Sequence, residues 1–358
     1  MKGYLLLENG RLFEGVLRGA KKSASAELVF TTGVVGYMET LTDPCYQGQI
    51  VVQTFPCVGC YGVVTAELTQ KTPSLSGLVV RQLVDTPSNF RCEGDLESWM
   101  AENGVTCLSD VDTRALTRVL REEGVMNAAI LSEKPEDIAA ASEALRQDKL
   151  LPEIDLDGDI EPATGKGLYH VALVDLGAPA DIREEMEKRG CMVSKVPAGA
   201  TAEAIMSLRP DGIVFTGGPG DPSDNADVAQ EIKALFEAGL PMFGIGMGHQ
   251  LMAMSQGCQT VKLPFGHRGG NQPVKDVKTG LTYTTTQNHG YAVDGNTLPQ
   301  GVQVRFINTN DGSCEGVDYQ EAPAFSVQFL PQVAGGPRDS RILYDRFIAL
   351  MGGNKECR

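Results

Sequence analysis

The chain has 358 residues, of which 42% are hydrophobic and 22% are charged, and its formal net charge is −15. This length allows two domains, each with its own hydrophobic core, and the composition is ordinary for a soluble α/β protein. The acidic balance argues against a nucleic-acid or acidic-membrane partner, because phosphate surfaces require clustered Lys and Arg.

The N-terminus and the cysteines indicate a cellular compartment. The apolar run in residues 1–8 is too short for a signal peptide, and no later run has the length of a membrane span. The nine cysteines are an odd number and are scattered along the chain, so we expect reduced thiols rather than a disulfide framework. The sequence therefore predicts a cytoplasmic protein.

The first half of the chain reads as a β-rich domain with two helical segments. Residues 4–7 and 11–16 are apolar runs on either side of an Asn-Gly pair, which favours a β-hairpin. Residues 112–124 have apolar side chains at helical spacing and a closing glycine, which predicts a helix. Residues 151–168 are rich in Asp, Pro and Gly without periodicity, which indicates an interdomain linker.

The segment Cys57-Val58-Gly59-Cys60 is a CxxC motif that follows a strand predicted at residues 49–55. A tetrahedral zinc site needs two further ligands, and the sequence contains no second CxxC and no HxxxH pair. We interpret the segment as a loop, with metal binding or redox chemistry as the alternative.

Strands and helices alternate in the second half, which predicts a doubly wound, mostly parallel sheet with its binding crevice at the carboxyl ends of the strands. Strands are predicted at 170–176, 192–196, 213–216 and 240–243, and helices at 181–189, 202–208, 228–238 and 340–351. Glycine-rich segments at 217–220 and 244–248 follow two of these strands. Both segments are therefore expected at the crevice.

Residues 244–250 read Gly-Ile-Gly-Met-Gly-His-Gln, which is the glycine spacing of a nucleophile elbow. This sharp strand-to-helix turn lifts one side chain to the top of a parallel sheet, and here the lifted position is Gly246. In the Gly-x-Cys-x-Gly form, a thiolate attacks an amide carbonyl, a histidine transfers the proton and a carboxylate orients the histidine. The alternative is a plain strand-turn-helix junction whose glycines serve packing.

Four segments of the C-terminal half resemble the class I glutamine amidotransferases. With two N-terminal segments, the whole chain is similar to the small, glutaminase subunits of carbamoyl phosphate synthases. The six segments are residues 32–39, 41–46, 212–222, 244–250, 265–276 and 287–293.

This resemblance implies three parts: an N-terminal mixed α/β domain that docks on a large subunit (1–150), a linker (151–168) and a glutamine amidotransferase-like domain (169–358). It also implies that the large subunit uses ATP and Mg²⁺, with no cofactor and no metal in this chain.

In the family, the elbow carries cysteine, and a Gln-Gly-His-Pro-Glu type segment supplies histidine and glutamate. Residues 328–332 read Gln-Phe-Leu-Pro-Gln here, so the resemblance places Gly246, Leu330 and Gln332 at the three triad positions. Leu330 has no lone pair to accept a proton, and neutral Gln332 does not stabilise an imidazolium. We therefore expect that no catalytic residue is intact and that glutamine hydrolysis is lost.

The resemblance assigns glutamine binding to Cys45, Gly218, Gly220, Met247, Gln250, Asn288, Gly290 and Tyr291. The alternative is that these residues hold the fold, with Gln250 capping the elbow helix. Cys45 stands where the family usually has serine, and we interpret it as a small polar replacement rather than a nucleophile. His249 and His289 are interpreted as histidines satisfied by backbone hydrogen bonds rather than as relocated bases.

The function implied by this resemblance is that of a carbamoyl phosphate synthase small subunit that no longer hydrolyses glutamine. Such a chain acts as a structural or regulatory partner of an ammonia-using large subunit. Two alternatives stay open: a glutaminase that works by a non-standard mechanism, and a non-catalytic glutamine-binding sensor.

Overall fold

A computed structural model of the chain describes residues 1–177, 181–331 and 336–355. The chain folds as two compact units, Met1–Pro152 with His267–Gly269, and Glu153–Gly266 with Gly270–Arg358. Across the described ranges, no helix is both long enough and apolar enough to cross a membrane.

The N-terminal unit contains nine strands and four helices in residues 1–152, all of which are described. They are β1 Lys2–Leu7, β2 Leu12–Gly19, β3 Ala24–Thr31, α1 Tyr37–Thr42, β4 Gln49–Gln53, β5 Cys57–Val58, β6 Gly77–Val79, β7 Gln82–Leu83, α2 Leu96–Glu102, β8 Thr106–Ser109, α3 Thr113–Glu123, β9 Met126–Leu131 and α4 Ile138–Gln147. Seven strands form a closed barrel in the order β1-β2-β8-β6-β4-β3-β9, because β9 pairs with both β1 and β3.

The predicted hairpin and the predicted helix of this unit are confirmed. Strands β1 and β2 pair antiparallel, and Gly10 takes a φ of 84° in the turn between them. Helix α3 begins after Asp112, whose carboxylate accepts the N–H of Ala115, and ends at Gly124.

Two expectations for the N-terminal unit are wrong. It has four helices rather than two, because α1, α2 and α4 are short helices whose apolar faces gain their stability from packing on the barrel. The CxxC segment is also not only a loop. Cys57 and Val58 form β5, which pairs in parallel with β7. The side chains of Val58 and Leu83 are buried in the hydrophobic core of the unit.

The C-terminal unit carries the remaining elements. They are β10 Tyr169–Asp175, α5 Asp181–Lys188, β11 Cys191–Pro197, α6 Ala202–Ser207, β12 Gly212–Phe215, α7 Ala226–Glu237, β13 Met242–Ile245, α8 Met247–Ser255, β14 Thr260–Asp276, β15 Thr282–Val293, β16 Val302–Asn308, β17 Cys314–Tyr319, β18 Ala324–Val327 and α9 Ile342–Lys355. The strands form one sheet in the order β11-β10-β12-β13-β18-β17-β15-β14-β16.

The predicted parallel sheet is confirmed for its first five strands, which pair in parallel from β11 to β18. The other four strands extend the sheet, and β17 joins them to β18 by an antiparallel pairing. Helix α9 begins at Ile342 after a 3-10 turn and ends later than predicted.

Helices cover both faces of the parallel strands, as predicted for a doubly wound fold. Neighbouring residues of β12 point to opposite faces, with Phe215 in the core under α7 and α8 and Val214 in the core under α5 and α9. On the second face, Phe243 stacks on Phe325 with ring centroids 4.5 Å apart. These two cores hold the strand ends that form the predicted crevice.

Helix α8 lies so close to the sheet that two glycines are required for packing. A Cβ on Gly248 would lie 2.6 Å from both the Cβ and the carbonyl oxygen of Phe215. A Cβ on Gly244 would lie 2.5 Å from the sulfur of Met252. The packing interpretation of the elbow glycines therefore holds for these two positions.

We expect Gly248→Ala to lower the free energy of unfolding by about 2–3 kcal/mol, because the added methyl group forces α8 away from β12. Urea unfolding measures the change. Gly352→Ala is the matched control, since this helical glycine faces only the flexible Tyr169 hydroxyl, at 3.2 Å from an added Cβ. A Gly248→Ala chain as stable as the control would contradict the packing argument.

Candidate functional site

The predicted elbow is confirmed as a strand-turn-helix junction. Strand β13 ends at Ile245, α8 begins at Met247, and Gly246 between them has φ 58° and ψ −113°. Residues with a side chain rarely take this backbone conformation, whereas glycine adopts it without strain. The Gly246 N–H donates to the carbonyl oxygen of Val327 at 2.9 Å, which fixes the turn to β18.

The elbow points toward Leu330. A Cβ built on Gly246 would lie 3.3 Å from Cα of Gly217, 3.9 Å from Cδ2 of Leu330 and 4.0 Å from the carbonyl oxygen of Gln328. Leu330 is buried, and its side chain belongs to the core under α5 and α9. The structure thus brings Gly246 and Leu330 together, while Gln332 lies outside the described residues.

The loop after β12 also has a packing reason for its glycines. A Cβ on Gly218 would overlap the carbonyl oxygen of Leu176, so no other residue fits there. Gly220 has a φ of 91°, which favours glycine. For these two residues, the fold alone accounts for the residue type.

Gln250 does not cap the elbow helix, so that interpretation is wrong. Its Nε2 donates to the carbonyl oxygen of Tyr291 at 2.8 Å and to Oε1 of Gln328 at 2.9 Å. The buried amide therefore joins α8 to β15 and to the segment after β18. A helix cap is a side-chain oxygen that accepts a backbone N–H of the first turn, and α8 has no such side-chain hydrogen bond.

The other residues assigned to glutamine binding are in different positions. Met247 is buried in the core under α7 and α8. Asn288 and Gly290 lie on β15 two residues apart and so share a face of that strand, while Tyr291 follows on the opposite face. Cys45 lies in the N-terminal unit, where it is buried and its N–H donates to Oδ1 of Asp43 at 2.9 Å.

His249 takes part in a buried side-chain network that the sequence did not predict. Its Nδ1 lies 2.8 Å from Oγ of Ser326, and this hydroxyl lies 3.1 Å from the Tyr319 hydroxyl. His249 is wholly buried, and burial lowers the pKa of its imidazole to about 3, so the ring is neutral near pH 7. The expectation of backbone partners is therefore wrong for His249.

His289 agrees better with the expectation. Its Nδ1 lies 2.7 Å from the carbonyl oxygen of Tyr291, which is a backbone partner, and its Nε2 lies 3.2 Å from Oε1 of Gln287. The ring is buried on β15. The alternation of side chains along a strand could have predicted the contact between Gln287 and His289, because residues two apart share one face.

The depressed pKa of His249 predicts a pH-dependent stability. An unfolded chain binds a proton at this histidine below about pH 6.5, whereas the folded chain resists it until about pH 3. The contribution of neutral His249 to the free energy of unfolding is therefore fully present above pH ~6.5 and is lost as the pH falls toward ~3. Between about pH 7 and about pH 5.5, we expect a loss near 1 kcal/mol from this group.

Urea unfolding at the two pH values measures this loss, with His249→Asn expected to reduce it by that amount. His170→Asn is the control, because its half-exposed ring also faces a serine hydroxyl, at 2.9 Å from Ser194. An unchanged pH difference in His249→Asn would show that the buried imidazole does not resist protonation.

Comparison with known proteins gives matches to both units. Residues 5–130 match the family described as carbamoyl-phosphate synthase small chain, CPSase domain, and residues 172–350 match the class-I glutamine amidotransferase family. The chain is 44% identical over 359 residues to the carbamoyl phosphate synthase small chain of Symbiobacterium thermophilum, covering 96% of this chain and 97% of that one. It is 41% identical over 350 residues to the small chain of Clostridium perfringens, covering 97% of this chain and 99% of that one. The chain therefore belongs to the carbamoyl phosphate synthase small-chain family and carries a class I glutamine amidotransferase domain.

Proposed function

We propose that this chain is a carbamoyl phosphate synthase small subunit that does not hydrolyse glutamine. In this proposal it serves as a structural or regulatory partner of a large subunit that takes ammonia from solution. One observation carries the proposal: the elbow turn is intact at Gly246, but the position that it lifts has no side chain and faces the apolar Leu330.

The chemistry of amide hydrolysis supports this proposal. The reaction needs a nucleophile for the carbonyl carbon and a base that takes the proton of that nucleophile. Gly246 offers no nucleophile, and Leu330 accepts no proton. Loss of one member of a comparable triad costs a factor on the order of 10⁶ in turnover, and oxyanion stabilisation alone leaves about 10³ over water.

The neighbouring histidines do not provide a substitute base. His249 is wholly buried and its neutral ring faces Ser326, so it does not contact a substrate in the crevice. His289 has both ring nitrogens within 3.2 Å of protein oxygens, on Tyr291 and Gln287. Among the described residues, His249 and His289 are thus both engaged with protein partners, which supports the loss of a base beyond Leu330.

The glutamine-sensor alternative gains no support from Gln250. Both protons of its amide nitrogen are directed to protein oxygens, on Tyr291 and Gln328, rather than to an open space. The same contacts explain why Gln250 is kept in a chain without the triad. The role of partner subunit is supported by family membership over nearly the full length, with both units matched.

The choice of nitrogen donor tests the proposal. We expect the purified complex with the cognate large subunit to form carbamoyl phosphate from ammonium salts and not from glutamine. A thiol-reactive glutamine analogue is the control and should leave the ammonium-dependent rate unchanged, because the elbow carries no thiol. Glutamate release that keeps pace with carbamoyl phosphate formation would overturn the proposal, and glutamine binding to the isolated chain in calorimetry would favour the sensor.

Restoring the three triad positions gives a second test. An added Cβ at Gly246 has only the Cα of Gly217, at 3.3 Å, as a tight neighbour, so a cysteine fits after a shift of a few tenths of an ångström. We expect Gly246→Cys with Leu330→His and Gln332→Glu to release glutamate at least ~100-fold above the ordinary chain.

The matched control carries Gly246→Ala with the same two other substitutions and should stay at background, because it lacks only the sulfur. Circular dichroism and binding to the large subunit establish that both variants fold. If the folded cysteine variant also stays at background, the assignment of these three positions to the triad is wrong.

A further inference from the structure

The cysteines in the described part of the chain divide by burial. Five are buried, namely Cys45, Cys107, Cys191, Cys258 and Cys314. The three that reach solvent are Cys57, Cys60 and Cys92, and all three lie in the N-terminal unit.

The three accessible cysteines lie on two chain segments that pair with each other. The N–H of Ser88 donates to the carbonyl oxygen of Cys60 at 2.9 Å, and the N–H of Val63 donates to that of Gly94 at 2.8 Å. Cys92 lies against Gly62, where a Cβ would overlap its sulfur. The accessible thiols are therefore held on one ordered surface next to β5.

Within this surface, the Cys60 thiol lies against the main chain of Cys57, while the Cys57 thiol donates to Oε1 of Gln82 at 3.7 Å. Gly59 has a φ of 90°, and its carbonyl oxygen accepts the N–H of Gly62 at 3.0 Å, so the chain reverses directly after β5. The Cys60 thiol donates to the carbonyl oxygen of Cys57 at 3.4 Å. The Cys92 thiol donates instead to the carbonyl oxygen of Gly94 at 3.4 Å.

The buried cysteines lack the properties that reaction requires. Burial raises the pKa of the Cys191 and Cys258 thiols to about 11 and that of Cys314 to about 12, so these sulfurs are protonated near neutral pH. A thiol reacts as its thiolate, and it must be reached by the reagent. Cys60 is exposed, so a reagent can reach its thiol. Cys57 is half-buried and lies two residues before the turn at Gly59.

A metal site of three thiolates agrees less well with the geometry. A zinc ion needs ligand atoms that converge on one point, at about 2.3 Å for each sulfur. Among the described residues, Cys57, Cys60 and Cys92 do not form a group of ligand atoms within 4.8 Å of one another. A dithiol requires only two sulfurs to approach.

We propose that Cys57 and Cys60 form a redox-sensitive dithiol that low-molecular-weight disulfides, such as glutathione disulfide, oxidise to an internal disulfide. The Cys60 thiolate attacks the external disulfide, which gives a mixed disulfide on Cys60 and releases one thiolate. Cys57 then loses its proton, attacks the Cys60 sulfur and releases the second thiolate. The protein loses two hydrogens and two electrons, and the external disulfide gains both.

The bridge would act on α1 through the next residue. The Tyr61 ring stacks on Tyr37 with centroids 3.9 Å apart, and each of these residues donates its N–H to the hydroxyl of the other, at 3.2 and 3.1 Å. Movement of Cys60 therefore reaches the first residue of α1 directly. Near-ultraviolet circular dichroism, which reports on packed tyrosines, is expected to change on oxidation and to recover on reduction.

Thiol trapping on the full chain tests the proposal. The reduced protein is incubated with glutathione and glutathione disulfide at graded ratios, alkylated under native conditions and digested for mass spectrometry. We expect the peptide with residues 57–60 to lose two hydrogens and to escape alkylation, while Cys92 remains alkylated. Dithiothreitol should reverse the change.

Three single variants assign the roles. Cys57→Ser should accumulate a stable glutathione adduct on Cys60, because no thiol resolves it, and Cys60→Ser should form no bridge. Cys92→Ser is the matched control and should form the bridge as the unsubstituted protein does. Thermal unfolding followed by circular dichroism verifies the fold of each variant. The proposal is overturned if the 57–60 peptide stays reduced at a ratio of glutathione to glutathione disulfide that fully oxidises a thioredoxin-type CxxC. It is also overturned if the bridge requires Cys92.

Discussion

Helix α8 approaches β12 more closely than any side chain permits, and the arrangement of the C-terminal unit depends on this contact. Gly248 lies against Phe215, and Gly244 lies against Met252 on the same helix. The chain leaves β13 and enters α8 within one residue, Gly246, whose positive φ is a conformation that glycine adopts without strain. The shape of the elbow is thus a requirement of helix-on-sheet packing.

Because packing maintains the elbow, its shape and its reactivity are separable. Gly246 contributes a turn but no side chain, and no tertiary contact depends on an atom beyond its Cα. Leu330 even adds to the core, since burial of a leucine side chain contributes about 2 kcal/mol. Glycine at 246 and leucine at 330 therefore carry little cost in stability, and under the proposed function the unit keeps the architecture of its family while glutamine hydrolysis is lost.

The sequence predicted those features that short-range patterns encode. The hairpin at Gly10, the capped helix α3, the alternating strands and helices, and the elbow at Gly246 all have local signals. Closure of the barrel through β9 and the pairing of β5 with β7 depend on partners distant in sequence. The Ser326 partner of His249 was missed for the same reason, since 77 residues separate them.

Closure of the N-terminal barrel limits how another chain can bind to its seven strands. Strand β9 pairs on both sides, with β1 and with β3, so the main-chain groups around the barrel are already in ladders. A protein that recognises its neighbour by β-augmentation needs an unpaired strand edge, and this barrel has none. Assembly through the barrel must therefore use side chains of its loops and helices, whose specificity comes from shape and charge rather than from backbone templating.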